Sequence, residues 1–146
     1  MSAVHLGLGV AAISFTTVAG LYGGWCWWRV RRSVWFWRLL RVGQVAVILT
    51  VVLGGVLEVV GRKSPGLHVI YGVLPLVVSL IAEQLRIGSA QMILDARGFE
   101  SAEAVGRLPE EEQRVLMLTI VQREIGVMAL AAIVNAVLLA RAAGTA

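Results

Sequence analysis

Residues 58–72 read EVVGRKSPGLHVIYG, a short polar hinge between two long apolar segments. Pro65 and Gly66 mark a break in the helix arriving from Glu58, and a new apolar run begins at Leu67. The hinge gathers an acid, bases, a histidine and a tyrosine in a chain that is 58% hydrophobic and only 15% charged. Soluble domains run about 45–50% apolar and about 25% charged, so the hinge reads as a turn between membrane spans. With 146 residues and a mean hydropathy of +0.82, the chain has room for about four spans of ~20 residues plus connections. The expected fold is all-α: a four-transmembrane-helix bundle forming one integral membrane domain over residues 1–146. Spans are expected near 4–28, 39–61, 67–85 and 121–140, with a cytoplasmic helical extension over 86–120.

Upstream of the hinge, span 1 is rich in Gly, Ala, Ser and Thr. Small residues let helix backbones approach closely in lipid, so this span should pack on its neighbours. It ends in WCWWRVRRSVWFWRLLR (25–41), which holds all five tryptophans together with Arg29, Arg31, Arg32, Arg38 and Arg41. Tryptophan favours the headgroup region and arginine the cytoplasmic side. A tight, membrane-hugging cytoplasmic turn accounts for both; the sharper alternative is a site for anionic lipid headgroups. The N-terminal MSAVHLGLGVAAISF lacks the basic region of a signal peptide, and the arginines follow the apolar run, as in a retained first span with its N-terminus outside. Cys26, the single cysteine, reads as a small apolar residue in a span.

Downstream, Pro75 lies inside span 3, where proline usually kinks a membrane helix without ending it. The helical pattern then continues through EQLRIGSAQMILDARG to Gly98, a plausible C-terminal cap. From Leu67 to Arg97 such a helix would be ~46 Å long at 1.5 Å per residue, against a hydrocarbon core of ~30 Å. Ser101 can cap a short turn. Pro109 suits the first position of the last helix, and Glu110, Glu111 and Glu112 complement its N-terminal dipole. That helix is again too long for the bilayer alone, so spans 3 and 4 read as an antiparallel pair extending below the membrane. The arginine-rich connections place both termini and the 62–66 turn outside the cell membrane. The net charge of +4 is then a topology signal, and nucleic acid is not an expected partner.

Depth along each helix, at ~1.5 Å per residue, sorts the polar residues into two layers. The outer layer holds His5, Glu58, His68, Tyr71, Asn135 and Arg141. The inner one holds Gln44, Glu83, Gln122, Arg123 and Glu124, with Arg86 beside them. Intramembrane ionisable groups usually pair with one another, so Glu83, Arg86, Arg123 and Glu124 form a candidate charge lock, with Glu83 facing Arg123. In the outer layer, Glu58 can pair with Arg62, Lys63 or Arg141. His5 and His68 sit at similar depth on spans 1 and 3, where two imidazoles could ligate a haem iron axially. A transition-metal site from Glu58, His68 and His5 is a further option. No nucleophile–base–acid arrangement, phosphate loop or metalloprotease motif is apparent.

The pieces GRKSPGLHVIYG and LLARAAGT resemble those of a loose set of small bacterial four-helix membrane proteins. In that set a Gly-Arg-x-Pro-like turn leads into Leu-His-x-x-Tyr-Gly, and the last helix ends in an Arg-Ala-rich run. The resemblance implies that His68, Tyr71, Gly72 and Arg141 meet at the outer face. It supplies a topology and no activity, and the EEEQR segment departs from it. The first functional expectation is a non-enzymatic accessory or scaffold component of a membrane complex, self-associating or joined to a membrane partner. The alternatives are a haem- or quinone-binding redox protein using the outer His/Tyr cluster, and a small proton-coupled transporter using Glu83 or Glu124.

Overall fold

The computed structural model describes residues 3–61, 63–99 and 102–145. Among these residues five helices follow in order: α1 (Ala3–Trp28), α2 (Val34–Val59), α3 (Gly66–Ala96), the short α4 (Ala102–Val105) and α5 (Glu110–Ala143). All but α4 are long and apolar enough to cross a membrane. Among the described residues there is no strand.

The helix ends follow from local chemistry. α2 begins five residues before its expected apolar run because Ser33 caps it, its Oγ accepting from the Phe36 N–H at 3.3 Å. Pro75 is buried inside α3, which continues unbroken to Ala96, so the proline does not end the helix. At Gly98 (φ +75°) the Gly98 N–H donates to Asp95 O and the Phe99 N–H to Leu94 O, each at 3.0 Å. This is the Schellman arrangement that satisfies the last carbonyls of a helix. Pro109 stands at the cap of α5, one residue before the expected first helical position. The Ser101 cap lies outside the described residues.

The long helices run alternately up and down. One end of the molecule gathers the start of α1, the end of α2, the start of α3 and the end of α5 (the hinge end). The other gathers the 29–33 turn and the connection between α3 and α5 (the arginine end). α5 packs along α1 and α3, and α1 also packs along α2, whereas α2 and α3 touch only slightly. The main core forms where α1, α2 and α5 meet, around Ala19, Cys26, Phe36, Leu40, Ile125, Met128 and Ala129. Cys26 is buried there as a free thiol. On α1 the buried positions Ala12, Thr16, Ala19, Gly23 and Cys26 follow one another at three or four residues, with Gly20 beside Ala19, and so form one face of a helix. The small residues of α1 therefore do line its packed side, although Gly7, Gly9 and Gly24 have open space around them.

Candidate functional site

At the hinge end, α1 and α3 bring His5 and His68 together, with ring centroids 6.1 Å apart and planes inclined at 61°. His5 is buried. Its ring rests against Gly54 of α2, where an added Cβ would stand 3.2 Å from His5 Cε1. His68 Nδ1 lies 2.8 Å from the Ala142 carbonyl oxygen of α5, so Nδ1 carries a proton, and in the neutral imidazole Nε2 is the nitrogen with the lone pair. All four long helices thus meet around one histidine pair. Beside it, the Arg141 guanidinium lies 5.8 Å from the centre of the Tyr71 ring, within cation–π range.

Two residues assigned to this outer layer are used differently. Glu58 accepts the Ser64 backbone N–H at 3.0 Å, which ties the 60–65 turn to the end of α2. Among the described residues it pairs with no cation; Arg62 lies outside them, and Arg141 sits over Tyr71 instead. Asn135 is 3% exposed and donates from Nδ2 to Ser79 Oγ of α3 at 2.9 Å, and Ser79 in turn donates to the Pro75 carbonyl at 2.8 Å. Ser79 is eleven residues along α3 from His68, ~16 Å of helix, so Asn135 belongs to the α3–α5 contact below the histidines. Its Oδ1 is buried with no hydrogen-bond partner among the described residues.

Towards the arginine end, Glu83 keeps Arg86 of the expected lock and takes its other partners from α2. Its carboxylate takes hydrogen bonds from the Arg41 guanidinium and, at 3.0 Å, from the Gln44 amide Nε2, both on α2. Arg86 Nε lies 3.2 Å away on the carboxylate's other oxygen. Arg41 also reaches Gln44 Oε1 at 2.6 Å, and the Arg86 guanidinium lies 5.3 Å from the centre of the Trp37 ring. Glu83 therefore joins α3 to α2 and not to Arg123 of α5. Arg123 is exposed, and neither it nor Glu124 forms an ion pair among the described residues. The reason is azimuth: Arg123 is two residues, ~200°, from the buried Ile125. It matches Glu83 in height but points away from the packed side of α5. Arg41 could have been found from its spacing, since it stands three residues before Gln44 on one face of α2. Gln122 Nε2 instead donates to the Trp27 carbonyl at 3.2 Å. Among the described residues, no group of three or more His, Cys, Asp or Glu could hold a metal ion, so Glu58, His68 and His5 do not converge as a metal site.

No family model matches the chain, and neither the curated proteins nor the solved structures contain a significant match.

Proposed function

We propose that this chain is a multi-pass protein of the cell membrane, a non-enzymatic structural component that serves as an accessory or scaffold. Its four long helices act as a bundle of spans, with both termini and the 62–66 turn outside and the arginine-rich connections in the cytoplasm. At 31 and 34 residues, α3 and α5 are ~46 and ~51 Å long, so each projects beyond a ~30 Å hydrocarbon core. The observation that carries this reading is the use of the polar side chains. Glu83 is engaged by Arg41, Gln44 and Arg86, His68 by Ala142 O, Glu58 by the Ser64 N–H and Asn135 by Ser79. Each fastens one helix to another or holds a turn. Self-association, or union with a membrane partner, follows from a chain whose own chemistry is spent on holding its helices.

One observation favours a second reading, a haem- or quinone-binding redox protein. His5 and His68 do meet, and the Ala142 carbonyl orients His68 with Nε2 as the remaining ligand atom. An absorption spectrum of gently purified protein, with the thermal stability of His68→Ala, separates the two. The structural reading expects no Soret band at stoichiometric protein and a lowered unfolding temperature in the variant. A Soret band that His68→Ala abolishes overturns it in favour of haem. The threading is tested in a Cys26→Ala background by Ser101→Cys: labelling from outside intact cells sinks the proposed orientation.

A further inference from the structure

The arginines of this chain divide by what occupies them. Arg31 stacks over Trp25, Arg38 over Trp35 and Arg86 over Trp37, at 5.2, 5.2 and 5.3 Å, and Arg141 sits over Tyr71. Arg41 is bound to Glu83. The guanidinium groups of Arg29, Arg32, Arg97, Arg107, Arg114 and Arg123 have no such partner among the described residues. Of these, Arg32 and Arg114 are the two that face one another, across an open cleft of about 480 Å³ between the 29–33 turn and the first turns of α5. Glu110, Gln113, Met117 and Leu118 complete its walls.

The wall chemistry is graded. Arg32 and Arg114 supply planar donor forks suited to the oxygens of a phosphate. Gln113 Nε2 already donates to the Leu108 and Gly106 carbonyls, at 2.8 and 3.3 Å, so Gln113 offers its Oε1 and Glu110 its carboxylate as acceptors, which suits the O–H groups of a headgroup carried next to that phosphate. Met117 and Leu118 form an apolar edge, and below them the packing continues through Cys26, Val121 and Ile125. The charged walls sum to one positive charge, which a single phosphodiester anion neutralises. Trp27 and Trp28, at the end of α1, are both exposed beside the 29–33 turn, as side chains of a headgroup layer are.

From this we infer that the cleft between the 29–33 turn and α5 binds a phosphodiester carrying a hydroxylated headgroup, of the kind presented by an anionic glycerophospholipid of the phosphatidylglycerol class. Arg32 and Arg114 clamp the phosphate, Glu110 and Gln113 take the headgroup hydroxyls, and Met117 and Leu118 border the start of the acyl chains. The lipid source rests on the membrane reading above and places the site at the inner leaflet; the phosphodiester chemistry stands without it.

The experiment is native mass spectrometry of the full chain released from nanodiscs of mixed phosphatidylcholine and phosphatidylglycerol, with alkaline extraction of native membranes in parallel. Wild type should retain phosphatidylglycerol selectively, and Arg32→Gln with Arg114→Gln should lose at least tenfold of that retention. Arg32→Lys with Arg114→Lys keeps the charge and removes the forks, so an intermediate loss is expected. Arg97→Gln with Arg107→Gln removes the same charge away from the cleft and should leave retention unchanged; a loss equal to that of the cleft variant overturns the site in favour of diffuse attraction. Glycerophosphoglycerol is the soluble arm: displacement of the lipid by it at comparable concentration overturns the lipid source in favour of a free phosphodiester. Release of the chain by alkali would defeat the membrane reading, whereas selective retention lost from a chain that resists alkali defeats the cleft alone.

Discussion

Where α1 meets α5, a Cβ built on Gly20 would stand 2.6 Å from the Ile133 side chain and 3.1 Å from the Ile133 backbone nitrogen. Where α2 meets α3, contact is slight, and Arg41 must reach across to find Glu83. The first seam is closed by leaving side chains out, the second by extending them. In lipid, the setting proposed for this chain, no hydrophobic force drives helices together, and close packing of small residues takes its place. The α1 seams use that route. The α2–α3 pair lacks it and depends on one polar group near the arginine end and one turn at the hinge end.

The contrast can be broken most severely at Gly23, whose added Cβ would run into the Phe36 ring and lie 2.9 Å from the Ala129 Cβ. Phe36 is fully buried and has nowhere to move. Gly23→Leu should therefore cost about 3 kcal/mol, the upper part of the usual range for overpacking, read by thermal unfolding in detergent or nanodiscs. Gly24→Leu, one residue along and facing open space, should change stability little. Leucine is the better helix former, so helix propensity cannot produce a loss at either position, and equal losses at the two would remove the seam as the cause.

The turns that end each pair differ as well. Val30, after α1, holds φ +51° while its N–H donates to the Trp27 carbonyl at 3.2 Å and the Arg31 N–H to the Cys26 carbonyl at 2.9 Å. At the end of α2 the Gly61 N–H likewise donates to the Glu58 carbonyl at 3.2 Å, and there Gly61 takes the positive φ, +90°. The left-handed conformation costs an ordinary L-residue about 1–2 kcal/mol, and a β-branched one is a genuine outlier there. Glycine would relieve that strain but lose about 0.4–1 kcal/mol through the freer unfolded chain. Val30→Gly should thus stabilise by about 1 kcal/mol and Gly61→Val should destabilise by a similar amount. A loss of stability in Val30→Gly would show that the valine side chain secures the tight α1–α2 pair by packing that outweighs its strain.

Composition and periodicity made the helices legible. The small residues of span 1, the unbroken α3 through Pro75 and the glycine cap at residue 98 were all readable because each depends on local chemistry. Depth counting also found the meeting of His5 with His68 and of Tyr71 with Arg141, since all four stand near helix ends, where few arrangements are open. It failed for Glu83 and Asn135 for one shared reason. Rise along a helix fixes height, but each residue also turns the side chain by ~100°, and partners are chosen by facing as much as by height. Arg123 has the right height and the wrong face. Ser79, the partner of Asn135, carries no charge to draw attention and is visible only once α3 is set against α5.

The smallest expected effect discriminates best between the two seams, because it asks whether a long side chain can hold helices that hardly touch. Arg41 is about half exposed and Glu83 is 22% exposed, so water and headgroups screen the pair, and its coupling should be about 0.5 kcal/mol, in the range of exposed ion pairs. A double-mutant cycle with Arg41→Gln and Glu83→Gln should return that value. The matching cycle with Arg123→Gln and Glu83→Gln should return none, because groups that do not meet contribute additively. Coupling confined to the Arg123 cycle would move Glu83 to α5 and leave the α2–α3 seam with its turn alone. Coupling in the Arg41 cycle that disappears in Arg86→Gln would instead show that Arg86, held over Trp37 and against Glu83, orients the carboxylate that Arg41 binds.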